Sequence, residues 1–398
     1  MMQKDRIAWV LTKVALSAAL LTNAGAQSPS QAAITGQATL APLPAPVGVP
    51  KPGAETDAPY RPLPILQGGI VIPLYSPGSP LLNRNRVREP EHYNLSQSVP
   101  GRINSIVNIH NPSIEIHTVD RGLNTGAAVI LVAGGGHKTL NVGSESADFV
   151  PFFYNYGVNT IILRNRLHSD GYNPQIDAVN DALQAIRLVR GHAKELNIDP
   201  NKIGMLGFSA GAELATFAAV LFKEFDKKNS VPSDPLAGVS ARPDFVGVIY
   251  PGPSPFAPGG TSPPIPPNVP PSFIACGGSG DRIHAVWAIE YFSAMLAVGV
   301  PNIEMHIYGK GRHPGDPLPD GGHMTGGLTD RNDTPFGTWQ FRFIEWFRDL
   351  GFLQKPGMET KAAKDVTAFV SESVPDIGQH RRGQGQVNGG VSATAAPK

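Results

Sequence analysis

Five residues constrain this chain more than any others: Gly207-Phe208-Ser209-Ala210-Gly211 follows a β-rich run at 203–206 and opens a helix beginning near Ala212. A serine held on a sharp strand-to-helix turn sits on strained backbone, and side chains two residues to either side of it would collide. Both flanking positions must therefore be small, and here both are glycine. In a chain with 44 glycines the pattern alone says little; its weight comes from the strand before it and the helix after it. The reading is that Ser209 is a nucleophile; an ordinary Gly-rich turn is the alternative.

The rest of the central chain supplies the elements such a turn needs. Strand-forming runs lie at 103–109, 113–118, 127–132, 160–163, 203–206, 245–250, 272–275 and 303–308. The run 127–132 has no polar alternation, as a strand covered on both faces should not. Helical spacing of apolar residues marks 176–189, 283–298 and 338–350, with Gly351 as a stop signal for the last. Opening strands followed by strand–helix alternation predict an α/β fold: a mostly parallel, eight-stranded sheet flanked by helices. Ligands of such sheets bind beyond the carboxyl ends of the strands.

Acyl transfer also needs N–H donors aimed at a developing oxyanion. Ala133-Gly134-Gly135-Gly136-His137 directly follows the run 127–132. Gly135 and Gly136, with the N–H of Ala210 after the nucleophile, are the candidates for the oxyanion hole; a tight turn needing positive φ is the alternative. His137 is given no role. An acid and a base should follow in the order Ser, Asp, His. Asp281, in Gly280-Asp281-Arg282 after the run 272–275, is the candidate acid, with a helix N-cap as the other reading. His313, in Gly311-Arg312-His313 after the run 303–308, is the candidate base, and His323 is its rival. His313 is favoured because it lies closer to its strand end. Glu145 reads as the start of the helix before 160–163, and Asp181 as structural. No His/Asp cluster has the spacing of a zinc or calcium site, so neither metal nor cofactor is expected.

Composition bounds the remainder. A net charge of +1 without a basic run gives no electrostatic footprint for nucleic acid, and a lone Cys276 excludes an internal disulfide. Residues 1–26 read as a signal peptide: Lys4 and Arg6, then an apolar stretch over 14–21, then Ala24-Gly25-Ala26 for cleavage. Lys13 interrupts the apolar residues, which fall short of the roughly 20 that a membrane span needs. Residues 27–62 read as a Pro/Ala-rich leader, 63–355 as the catalytic domain and 356–398 as a mostly disordered tail, with a short helix around 361–370. A secreted or periplasmic location follows, without a membrane span once the signal is removed. The oligomeric state stays open.

Taken together, these residues resemble the α/β-hydrolases described as acetylxylan esterase-like or feruloyl esterase-like, some of them labelled endo-xylanase B. The resemblance covers about residues 100 to 352. It rests on Asn111-Pro112-Ser113, Gly134-Gly135-Gly136-His137-Lys138, the stretch 157–163, Gly207 to Gly211, Gly280-Asp281, and His306-Ile307-Tyr308 leading to His313. It implies a Ser209, Asp281, His313 triad, no metal, and small ester or acetylated-polysaccharide substrates. Two motifs depart from the usual pattern: Arg164-Asn165-Arg166-Leu167 stands for Lys-Tyr-Arg-Leu, and Gly311-Arg312-His313-Pro314 for Gly-Gly-His-Gly. A serine exopeptidase usually carries a large N-terminal propeller, for which 27–100 is too short. An inactive binding module would not need the full Ser/Asp/His set.

Overall fold

The structure is a computed structural model. It describes Leu43 and residues 58–231, 234–315 and 338–369. The expected signal segment 1–26, nearly all of the expected leader up to residue 57, His323 and the tail beyond 369 lie outside the described residues.

The strands run in chain order as β1 Ile70–Pro73, β2 His92–Leu95, β3 Ile103–Val107, β4 Ser113–His117, β5 Ala128–Val132, β6 Asn159–Arg164, β7 Ile203–Phe208, β8 Val246–Ile249, β9 Ser272–Gly277 and β10 Glu304–Tyr308. Eight of them form one sheet in the order β1-β4-β6-β5-β7-β8-β9-β10. The pairs β1/β4 and β4/β6 are antiparallel, and every pair from β6 to β10 is parallel. This is the mostly parallel, eight-stranded sheet expected, with one strand exchanged. The run expected at 103–109 is not in it: β3 pairs with β2 in a separate antiparallel ribbon. The eighth strand is β1, whose four residues follow Gly68-Gly69 and end in Pro73, too short a run to show any periodicity.

The helices are α1 Phe149–Tyr154, α2 Val179–Gly191, α3 Ala210–Lys228, α4 Arg282–Ala297, α5 Trp339–Asp349 and α6 Lys361–Ala368. They cover both faces of the sheet. Val129 and Leu131 of β5 pack into a cluster with Phe149, Tyr291, Trp339 and Phe343. Ala128, Ile130 and Val132 turn the other way, into a cluster with Leu183, Ile186, Leu214 and Ala218. Successive strand residues face opposite sides, so a strand buried on both faces must be apolar throughout, and every residue of β5 is buried. Gly351 follows α5 with φ 87°, in the left-handed conformation that ends a helix.

The segment 164–167 is held by buried ion pairs. Arg164 bonds Glu115 at 2.9 Å, and Glu115 also accepts the N–H groups of Ile65 and Leu66. Arg166 bonds Asp181 at 2.7 Å, and Asp181 accepts the Tyr75 hydroxyl at 2.9 Å. Both clusters tie the segment before β4 to the sheet, as the structural reading of Asp181 expects.

Candidate active site

β5 is flanked by β6 on one side and β7 on the other, so the chain leaves the ends of β5 and β7 toward opposite flanks. Such a switch point opens a crevice beyond the carboxyl ends of the strands. Both Gly-rich turns lie there.

Ser209 directly follows β7 and precedes α3 with φ 52° and ψ −118°, a strained backbone for a residue with a side chain. The need for glycine on both sides is geometric. A Cβ on Gly207 would lie 2.3 Å from the carbonyl oxygen of Gly211, and one on Gly211 would lie 2.0 Å from that of Val132. Ser209 holds the N-cap position of α3 yet gives the helix no side-chain cap bond. Its Oγ instead lies 3.0 Å from His313 Nε2. His313 Nδ1 lies 3.1 Å from Asp281 Oδ2. The three residues singled out from the sequence thus form one chain of hydrogen bonds, although they lie on turns after β7, β9 and β10. His323 lies outside the described residues.

Asp281 also occupies a helix N-cap position, before α4, again with no side-chain cap bond. Its second oxygen, Oδ1, is 2.5 Å from His284 Nδ1. Burial by itself would raise the pKa of this carboxyl; the hydrogen bonds from His284 and His313 outweigh it and hold the pKa below the ordinary value. The His284 ring stacks on His313, with centroids 3.6 Å apart and planes 7° from parallel. Sequence reasoning missed His284. Its spacing of three residues from Asp281, one helical turn, was the available signal.

Asp281, His284 and His313 are also the one group of metal-ligand type among the described residues, with one candidate atom each within 4.8 Å of one another. Both Asp281 oxygens are taken by the Nδ1 atoms of these rings.

The loop after β5 packs against the nucleophile. A Cβ on Gly134 would lie 2.7 Å from Ser209 Cβ, and one on Gly135 would lie 2.2 Å from the Thr139 carbonyl oxygen. Gly135, Gly136 and His137 have φ of 128°, 61° and 57°. Among the described residues, no acceptor takes the N–H of Gly135, Gly136 or Ala210. That of Ala210 points out of the N-terminus of α3, where the partial positive charge of the helix favours an anion. His137 Nε2 lies 3.0 Å from Glu213 Oε2 on α3.

Glu145 stands, as expected, in the first turn of the helical segment before β6, a π-helical turn Gly143–Ala147 ahead of α1, but its side chain is buried and bonds outside that helix. Oε2 accepts the N–H of Gly134 at 2.7 Å, and Oε1 accepts the Tyr250 hydroxyl at 3.1 Å.

The BD-FAE family pattern matches residues 114–249, the stretch that delivers the Gly134 loop, Glu145 and Ser209. An acetylxylan esterase of Xylanibacter ruminicola is 26% identical over 264 residues, which are 63% of this chain and 50% of that protein. An endo-1,4-beta-xylanase B of Butyrivibrio fibrisolvens is 27% identical over 169 residues, 42% of this chain and 24% of that one. The chain therefore spans 50% of the length of the first of these relatives and 24% of the second. The solved structure of an acetyl ester-xyloside bifunctional hydrolase from Caldicellulosiruptor lactoaceticus is 27% identical, covers 71% of this chain and 97% of its own, and superposes with a TM-score of 0.52. The chain thus has the α/β-hydrolase fold and is similar to esterases built on it.

Proposed function

We propose that this protein is an exported serine carboxylester hydrolase that removes short acyl groups, acetyl above all, from carbohydrate. One observation carries the reading: Ser209 Oγ, His313 Nε2, His313 Nδ1 and Asp281 Oδ2 form a continuous hydrogen-bonded chain, with steps of 3.0 and 3.1 Å, at a strained elbow. In this reading Ser209 Oγ attacks the ester carbon while His313 Nε2 takes its proton. Asp281 holds the ring and offsets the charge of the imidazolium. The N–H groups of Ala210, Gly135 and Gly136 receive the oxyanion. The tetrahedral adduct collapses, the carbon–oxygen bond to the alcohol breaks, and His313 returns the proton to that alcohol. Water then repeats the sequence on the acyl-serine, releasing the acid and restoring Ser209.

Three observations support the substrate class. The relatives are named for acetyl esters and xylan. The described Pro-rich stretch 253–271 carries no helix that could serve as the apolar lid a long acyl groove needs. The N-terminal sequence reads as an export signal.

The test is an ester series run beside Ser209→Ala. kcat/KM on p-nitrophenyl esters should fall steeply from acetyl to butyryl and be small at octanoyl, with acetate released from acetylated xylan. Ser209→Ala should lower kcat by about 10⁴ or more in a folded protein. A maximum at octanoyl with no acetate released would replace the substrate class by a general lipolytic esterase. A variant keeping a tenth of the wild-type kcat would remove Ser209 from the reaction.

A further inference from the structure

We propose that Glu145 is a positioning residue: its two carboxyl oxygens fasten the oxyanion loop to Tyr250 and so keep the N–H donors and the base in register with Ser209. The inference rests on the reading of Ser209 as nucleophile given above.

A carboxyl in this place is unexpected on stability grounds. Glu145 is 1% exposed, and its partners are a backbone N–H and a phenolic O–H. Neither neutralises it, and an ionised carboxylate buried without a cation is unfavourable. Burial accordingly pushes its pKa up to about 7, although both hydrogen bonds pull the other way. An apolar side chain of similar size would suit the core better if packing were all that was required.

What it touches gives the reason. The Gly134 N–H belongs to the residue that lies against Ser209: a Cβ there would be 2.7 Å from Ser209 Cβ, 2.6 Å from the Phe208 carbonyl oxygen and 3.1 Å from Glu145 Oε2. A shift of Gly134 carries Gly135 and Gly136 with it, and oxyanion donors work only at hydrogen-bond distance from the oxyanion. Tyr250, at the end of β8, stands edge-on to the His313 ring, with centroids 5.2 Å apart and planes at 82°. Its own backbone is strained, with φ 38°. Tyr250 N–H donates to the Ala275 carbonyl at 2.7 Å, on the strand that leads to Asp281. One buried carboxyl thus joins the loop carrying the proposed donors to the wall of the proposed base, across 105 residues of sequence.

Glu145→Gln and Glu145→Leu separate this role from packing. Glutamine can accept from Gly134 with its carbonyl and donate to Tyr250 Oη with its amide, because the phenol proton is free to rotate. Leucine fills the space and leaves the Gly134 N–H without an acceptor. On p-nitrophenyl acetate, Glu145→Gln should keep kcat within about threefold of wild type. Glu145→Leu should lose about 10- to 100-fold in kcat, with KM changed by less than about threefold, since misplaced oxyanion donors act on the transition state. Tyr250→Phe keeps the ring and removes one of the two bonds; it should lose about 3- to 10-fold in kcat with KM again unchanged. It also decides the matter should the leucine variant fail to fold. A folded leucine variant with wild-type kcat would overturn the proposal, and so would an equal loss in the glutamine and leucine variants or, without a folded leucine variant, full kcat in Tyr250→Phe. A wild-type protein inactive on every ester would overturn the esterase reading itself, a different result from an active wild type matched by its Glu145 variants.

Discussion

Asp281 stands at the first turn of α4 but spends both oxygens on imidazole rings, His284 at 2.5 Å and His313 at 3.1 Å. Only a carboxylate can accept from both rings at once, because an asparagine offers one acceptor oxygen and turns donor hydrogens toward the second ring. Asp281→Asn should therefore force one ring into the wrong tautomer. We expect kcat on an acetyl ester to fall by about 10³ to 10⁴ with the melting temperature little changed; a loss below tenfold would contradict the role given to the acid. At this scale the sequence is informative where chemistry is local. Ser209 is legible from its two glycines, and Asp281 and His313 from their places after late strands. Glu145 is not, because its partners lie 11 and 105 residues away and nothing nearby marks it as buried. His284 was within reach through its spacing from Asp281, but its stacking on His313 depends on the tertiary fold.

At the scale of elements, the turn between β7 and α3 is the most tightly constrained. Gly211→Ala would drive a Cβ to 2.0 Å from the Val132 carbonyl oxygen, backbone that cannot yield without disturbing β5. Gly136, with φ 61°, has nothing within 4 Å of an added Cβ, so alanine there meets strain alone. Thermal unfolding should show Gly211→Ala destabilised by about 3 kcal/mol or more and Gly136→Ala by about 1–2 kcal/mol; the reverse order would contradict the packing described. The elements themselves were legible in proportion to their periodicity. Strand β5 announces itself by an unbroken apolar run. Strand β1 does not, because four residues that follow a glycine pair and end in a proline carry no pattern. β3 looks like a sheet strand locally, and only its pairing with β2 assigns it elsewhere.

Across the whole molecule, two apolar clusters clamp the sheet from opposite faces, leaving the carboxyl ends of the parallel strands as the place where turns can carry polar groups. The proposed chemistry sits on three turns, one loop and the first N–H of α3; the other described helices and strands hold these at hydrogen-bond distance from one another. Activation of Ser209 through His313 and Asp281 can be read directly by covalent labelling. The full-length protein treated with a fluorophosphonate and digested should show one stoichiometric adduct by peptide mass spectrometry, on Ser209, and none on Ser209→Ala; label absent from Ser209, or found equally on other serines, would contradict it.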